Sequence, residues 1–313
     1  MENFERFYPA KPTLNKPERK GHIAVTFFSI VLFALTFSFI INDYQVILFL
    51  VTVLLIHELG HFLVMKLFGY KELKMFFIPF LGAMVQGGKD KYSQLESALM
   101  VMAGPLPGIV AGFFLLNYGI DSEISWAIQL GLFFMLINVV NLFPVDPLDG
   151  GQLLRLMLFG SQDLIQLIFS FASSLFVIGL GLYLNSWILI AFGFFMGLRV
   201  KNSYKNYRIR KDLRAEGVVY ESSYEKLSDK DFSIIKNVVM SYNPILSKIE
   251  TETASEKFDQ IIANQVDGVL QRPTEKDLTF LYKLLMTILW LGAFYLCFYM
   301  ALTIDVNLLK DAF

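Results

Sequence analysis

Cysteine and histidine are both scarce in this chain. One cysteine, Cys297, stands among 313 residues, which excludes a disulfide within the chain and any cysteine-built zinc site. Cys297 lies in an apolar run and reads as a small buried hydrophobe. There are three histidines, His22, His57 and His61, too few for a di-iron membrane oxidase. Charge is scarce too, at 18% of residues, and the net charge of −1 gives no basic excess for nucleic acid. What fills the chain instead is hydrocarbon: 55% of residues are hydrophobic and mean hydropathy is +0.52. That composition predicts an all-α polytopic membrane protein.

Seven apolar segments stand out: Ile23–Ile41, Val46–Leu67, Ala98–Tyr118, Ile124–Phe143, Leu164–Leu184, Trp187–Leu198 and Leu284–Ile304. Most approach the ~20 residues that a spanning helix needs; Trp187–Leu198 is short. Lysine and arginine fill the N-terminal arm, the 66–91 connection and the stretch after 199, and are missing near 43, 119–123 and 185. The alternation predicts about seven spans with a cytoplasmic N-terminus and an outside C-terminus. Tyr44, Tyr118, Trp126 and Trp187 fall where an outer aromatic belt would lie. His22, at the start of the first span, reads as interfacial. Ile23–Ile41 is too long for a signal-peptide core and no small-residue cleavage site follows it, so a cleaved leader is not expected.

The expected organisation is a cytoplasmic arm (1–22), a membrane domain (23–200), a small cytoplasmic helical insert (201–278), and a last span with an outside tail (279–313). In the insert, Ser228 is positioned to cap a helix carrying Ile234, Ile235, Val238 and Val239, and a second helix is expected near Ser255–Asn264. Its basic start suits an anionic lipid surface. Within Lys71–Ser93, the glycine-broken run Met75–Gly88 predicts a β-hairpin dipping into the membrane. Gly104, Gly108 and Gly112 share one helix face and predict close approach to another helix, with the third span set against the second.

The chemistry concentrates at His57-Glu58-Leu59-Gly60-His61, inside the second apolar segment. Residues four apart share a helix face, so the two imidazoles can hold one metal ion, and Glu58 can take a proton from its water. Ionisable groups at membrane depth are costly unless they pair or bind something, which makes the cluster a functional site. A catalytic zinc wants a third protein ligand and an open position. No histidine follows His61, Glu72 is too close in the chain, and Glu96 begins the next span. The fourth span ends in a stretch broken by Pro144 and Pro147 that offers Asp146 and Asp149, and Asp149 is the better candidate. A turn at the cytoplasmic surface is the plain alternative for either acid.

His57-Glu58-x-x-His61 and Asn141-x-x-Pro144-x-x-Pro147-Leu148-Asp149-Gly150 together resemble the site-2 protease family of intramembrane zinc metalloproteases, as does Ala103-Gly104-Pro105-Leu106 between them. The resemblance covers about residues 45–160, a three-helix metalloprotease core. It implies one zinc per chain held by His57, His61 and Asp149. It implies Glu58 as the residue that activates water and Asn141 as a group that holds the substrate or the oxyanion, with Asn138 one turn away. The implied activity is hydrolysis of peptide bonds within transmembrane segments of other membrane proteins. The implied setting is a lipid bilayer, with a bacterial plasma membrane the expected one. Neither a PDZ insertion nor a paired nucleotide-binding module is recognisable, so regulation by such domains does not carry over. A zinc-binding scaffold without activity and a metal transporter are the competing readings.

Overall fold

A computed structural model describes residues 8–15, 23–79, 82–158, 162–244, 246 and 256–304. His22, Arg6, Lys16, Arg19, Lys20, the hairpin tip at 80–81, Ser255 and the tail 305–313 lie outside the described residues. Of the described residues, 72% are helical. It divides into two compact units, one of residues 23–89, 93–197 and 275–304, the other of residues 198–274 with 8–15 and 90–92.

In the larger unit, four helices or helix pairs are long and apolar enough to cross a membrane: Tyr44–Leu67, Gln94–Asp121, Asp163–Tyr183 and Phe280–Thr303. The chain is therefore a polytopic α-helical membrane protein. Two more apolar helices are shorter, α1 (Ile23–Ser38) and α5 (Ser125–Asn141). The sixth expected segment, Trp187–Leu198, is the start of α8 (Trp187–Ala215), which is not among the four.

Helix α2 (Tyr44–Leu67) begins where the Asp43 carboxylate accepts the N–H groups of Gln45 and Val46, at 2.8 Å and 3.4 Å. Its 24 residues reach ~36 Å at ~1.5 Å each, enough to cross. The third expected span is two helices, α3 (Gln94–Met102) and α4 (Pro105–Asp121). Pro105 and Pro107 lack the N–H groups that would carry α3 onward, so the chain restarts at Gly104. Asp277 holds the start of α3: its carboxylate accepts from Ser93 Oγ and the Leu95 N–H.

The glycine stripe turns out to face two neighbours. A methyl group on Gly104 would meet the imidazoles of His61 and His57 at 2.4 Å and 2.9 Å. On Gly108 it would meet Asn138, and on Gly112 Gly131 and Met135, both on α5. Within the stripe, Gly104 therefore faces the second span as expected, while Gly108 and Gly112 face α5.

Strands β1 (Lys71–Ile78) and β2 (Gly82–Gly88) pair antiparallel, with Met75 opposite Val85 and Phe77 opposite Ala83. Phe77 donates its N–H to Ser29 Oγ, and Thr26 Oγ1 donates to the Met75 carbonyl, at 3.1 Å and 2.8 Å. The outer edge of β1 is thus capped by hydroxyls of α1. Since Phe77 points its N–H outward, Phe77–Ala83 and, two residues on, Met75–Val85 are pairs without ladder bonds. The N–H groups of Ala83 and Val85 accordingly lie on the outer edge of β2.

The smaller unit has its own core, with Ile209, Leu213, Ile235, Val239, Ile262 and Val266 at its centre. Helix α9 (Asp229–Ser241) starts at Ser228, whose Oγ accepts the Asp231 N–H at 3.0 Å, as its sequence predicts. Helix α10 (Glu256–Val269) supplies the facing residues. Residues 8–15 belong to this unit and not to a free arm. Lys11 Nζ donates to the carbonyls of Tyr224, Glu225 and Leu227, and Asn15 and Thr13 bond to the Gln260 side chain.

Candidate metal centre

His57 and His61 project from one face of α2, as their spacing requires. Helix α5 ends at Asn141, the chain runs irregularly through Leu142–Leu148, and α6 (Asp149–Leu158) begins with the acid. The three side chains meet. His57 Nε2 and His61 Nε2 are 3.1 Å apart, and Asp149 Oδ2 is 3.1 Å from the first and 3.3 Å from the second. His57, Glu58 and Asp149 are buried.

The bonds behind this triangle fix what its atoms are. Asn138 donates its Nδ2 hydrogen to the Phe134 carbonyl at 2.7 Å, so its Oδ1 is the acceptor facing His57 Nδ1, also at 2.7 Å. His57 therefore carries its proton on Nδ1. His61 Nδ1 lies 2.7 Å from the Met100 carbonyl, which can only accept, so His61 is protonated on Nδ1 as well. Both Nε2 atoms present lone pairs to the centre. Asp149 Oδ2 is buried and, among the described residues, has no partner other than the two close imidazole nitrogens. Three acceptors packed within 3.3 Å repel one another unless a cation sits among them.

The spacing states the size of that cation. Zinc binds nitrogen and carboxylate oxygen at ~2.0–2.1 Å, and a tetrahedron of that radius has edges of ~3.3 Å. The observed edges of 3.1, 3.1 and 3.3 Å match it. The donor set, two neutral imidazoles and a carboxylate, suits zinc, and Asn138 and the Met100 carbonyl are the outer partners that orient such ligands. His57, His61 and Asp149 are also the described residues whose ligand atoms converge as a metal-holding group.

Glu58 follows His57 on the helix, and the Val85 N–H of β2 faces its carboxylate. Among the described residues Asn141 makes no side-chain bond to the cluster: its Nδ2 donates to the Ile137 carbonyl at 3.1 Å. Asn138, fully buried, is the asparagine that touches His57. A sequence signal for it exists in Gly108, which leaves the room that Asn138 fills. Asp146 turns away from the centre, accepting from Ser170 Oγ at 2.8 Å with Arg155 beyond at 3.5 Å, while its N–H reaches Ser173 Oγ. The broken stretch thus satisfies its polar groups inside the protein.

Residues 45–122 match Peptidase family M50. The match bears out the resemblance read from the two motifs and covers both histidines, Glu58 and Gly104. Two curated proteins are similar to this chain. Stage IV sporulation protein FB of Bacillus subtilis is 32% identical over 117 residues, 36% of this chain and 40% of that protein. A protein of Methanocaldococcus jannaschii named zinc metalloprotease is 30% identical over 146 residues, 44% of this chain and 41% of that one. The chain spans about two fifths of the length of each of these relatives. Asp149 lies beyond the M50 match, so its part in the site stands on the geometry above.

Proposed function

We propose that this M50-family chain is an intramembrane zinc metalloprotease that hydrolyses peptide bonds within or near transmembrane segments of other membrane proteins. The reading implies a role in regulated intramembrane proteolysis. The observation that carries it is the triangle of His57 Nε2, His61 Nε2 and Asp149 Oδ2, edged at zinc spacing, with a carboxylate beside it that the triangle does not use. Zinc, when bound, polarises a carbonyl and lowers the pKa of a water in its open position.

The chain's own residues do the rest. The Nδ1–H bonds to Asn138 and Met100 keep both imidazoles facing the centre through the reaction. Glu58 accepts the proton of the attacking water and delivers it to the leaving amine. Asn141, on the last turn of α5, is the motif residue to which the family resemblance gives the substrate or oxyanion. A substrate helix hides its carbonyls in its own hydrogen bonds, so its segment unwinds before cleavage and needs partners for its backbone. The outer edge of β2 supplies them: β1 is capped by α1, while Ala83 and Val85 turn their N–H groups to the outer edge, that of Val85 toward Glu58.

The protein sits in this reading in a bacterial plasma membrane, with its N-terminus and the 201–278 insert cytoplasmic. A non-catalytic zinc scaffold would have no use for Glu58, and a transporter no use for a base beside its ligands.

Purified chain in lipid vesicles with single-span test proteins separates the readings. Glu58→Gln keeps about one zinc per chain and lowers cleavage about 10²- to 10⁴-fold. Ala83→Pro removes an edge donor without removing a β1–β2 rung, and weakens cleavage with zinc retained. Full cleavage by Glu58→Gln would overturn the proposal, and zinc flux across the vesicle would favour transport. Substrates trapped on Glu58→Gln and identified by mass spectrometry would name the natural targets.

A further inference from the structure

The last span is α11 (Phe280–Thr303), well outside the M50 match. It packs against α4 and α5, and two of its side chains reach the start of the broken stretch and the far end of α6, the helix that Asp149 begins. Trp290 Nε1–H donates to the Leu142 carbonyl at 2.8 Å, at the C-cap of α5. Lys283 Nζ donates to the Met157 carbonyl at 2.7 Å, in the last turn of α6. Seven residues separate Trp290 from Lys283, two helical turns or ~10 Å along α11. Carbonyls at helix ends have no partner within their own helix, and in hydrocarbon an unmet one is costly.

The Leu142 carbonyl also sets the position of the acid. A methyl group on Gly150 would lie 1.8 Å from Leu142 O, so the backbone next to Asp149 rests directly on the group that Trp290 holds. Leu142 itself is fully buried, in a cluster with Leu153, Met157, Met286 and Ala293 from α6 and α11. A shift of the Leu142 carbonyl would move Gly150, and with it the Asp149 carboxylate, against histidines fixed on another helix.

We propose that α11 is a splint for the metal centre, and that Trp290 and Lys283 are positioning residues that set the distance of Asp149 from His57 and His61. Neither touches the metal triangle; Trp290 acts through the carbonyl at the start of the break, and Lys283 through a carbonyl at the far end of α6, the helix that Asp149 begins. The inference rests on Asp149 being a zinc ligand, and the experiment tests the two separately.

The full chain in detergent is titrated with zinc against a chromophoric chelator, and with cobalt for its visible absorption. Asp149→Ala is the control. Trp290→Phe keeps a large ring and deletes the donor; Lys283→Met keeps the stem and deletes the charge, and stands in if Trp290→Phe fails to fold. The expected result is zinc binding about tenfold weaker in either variant, the size seen when outer partners of metal ligands are lost. Cobalt absorption falls as well, because a displaced carboxylate spoils the tetrahedral arrangement. Asp149→Ala weakening zinc while both variants bind as the parent does would overturn the splint and leave the site intact. A lower melting temperature with unchanged zinc affinity and cobalt spectrum would overturn it too. Asp149→Ala binding zinc as the parent does would remove the premise.

Discussion

The two halves of the candidate metal centre are built in opposite ways. The histidine half comes from one unbroken helix, and its internal geometry is settled by a spacing of four residues. The aspartate half comes from a chain that stops being a helix at Leu142 and starts again at Asp149. Its position depends on Ser170 and Ser173 of α7 (Asp163–Tyr183), which hold Asp146, and on α11 at Leu142 and at the far end of α6. One half is local in sequence and the other assembled from three helices. The difference teaches where each half is vulnerable: the histidines to loss of their own outer partners, the aspartate to changes far away in the chain.

The largest expected effect removes the assembled half. Asp149→Ala should reduce zinc from about one per chain to little or none at chelator concentrations that leave the parent loaded. The local half should survive it. The His57 and His61 Nδ1–H groups bond to Asn138 and Met100, on α5 and α3 and not on α6. Their proton resonances should therefore persist in Asp149→Ala. Collapse of both signals would show that the aspartate organises the histidines, and the contrast drawn here would fail.

A smaller effect tests the support of the histidine half. Asn138→Ala leaves the His57 Nδ1–H without its acceptor, and should weaken zinc about 10- to 100-fold. Asn141→Ala breaks only a bond to the Ile137 carbonyl, so zinc affinity should hold while cleavage falls. Chelator competition on the two variants decides it. Equal loss of zinc in both would mean that the whole end of α5 supports the site and not one amide.

The same local-against-assembled distinction governs what could be read from sequence. The shared face of His57 and His61 was legible because the helix repeat alone places them, and so was the Ser228 cap on α9. Asp149 was legible through its motif, with Pro144 and Pro147 marking the break. The choice between Asn138 and Asn141 was not. The two lie three residues apart, on neighbouring faces, and helix rotation decides which one meets α2. That rotation is set by contact with α4, where Gly108 gives Asn138 its room. The glycine stripe announced close packing without saying that it would divide between two partners. The splinting role of α11 had no local signal at all, since a tryptophan in an apolar span serves equally as lipid contact.

The smallest effect carries the distinction into the other unit. Residues 8–15 show no apolar periodicity, and the sequence offered only a polar arm. Lys11 nevertheless binds Tyr224, 213 residues away in the chain, giving its three ammonium donors to the carbonyls of Tyr224, Glu225 and Leu227 at 2.9, 2.9 and 2.6 Å. Its own N–H reaches Asp229 Oδ1, and Tyr224 OH returns a bond to the Pro12 carbonyl. An ammonium with every donor matched is a specific contact, but the site is partly exposed and water competes for it. Lys11→Met should therefore destabilise this unit by only ~1–3 kcal/mol. Amide exchange should speed up around the turn at Tyr224–Lys226. Zinc content should not change, because every bond lost belongs to the smaller unit. Unaltered exchange at the turn would mean that the arm rests on this surface without holding it, and that here the assembled contact contributes less than the local cap at Ser228.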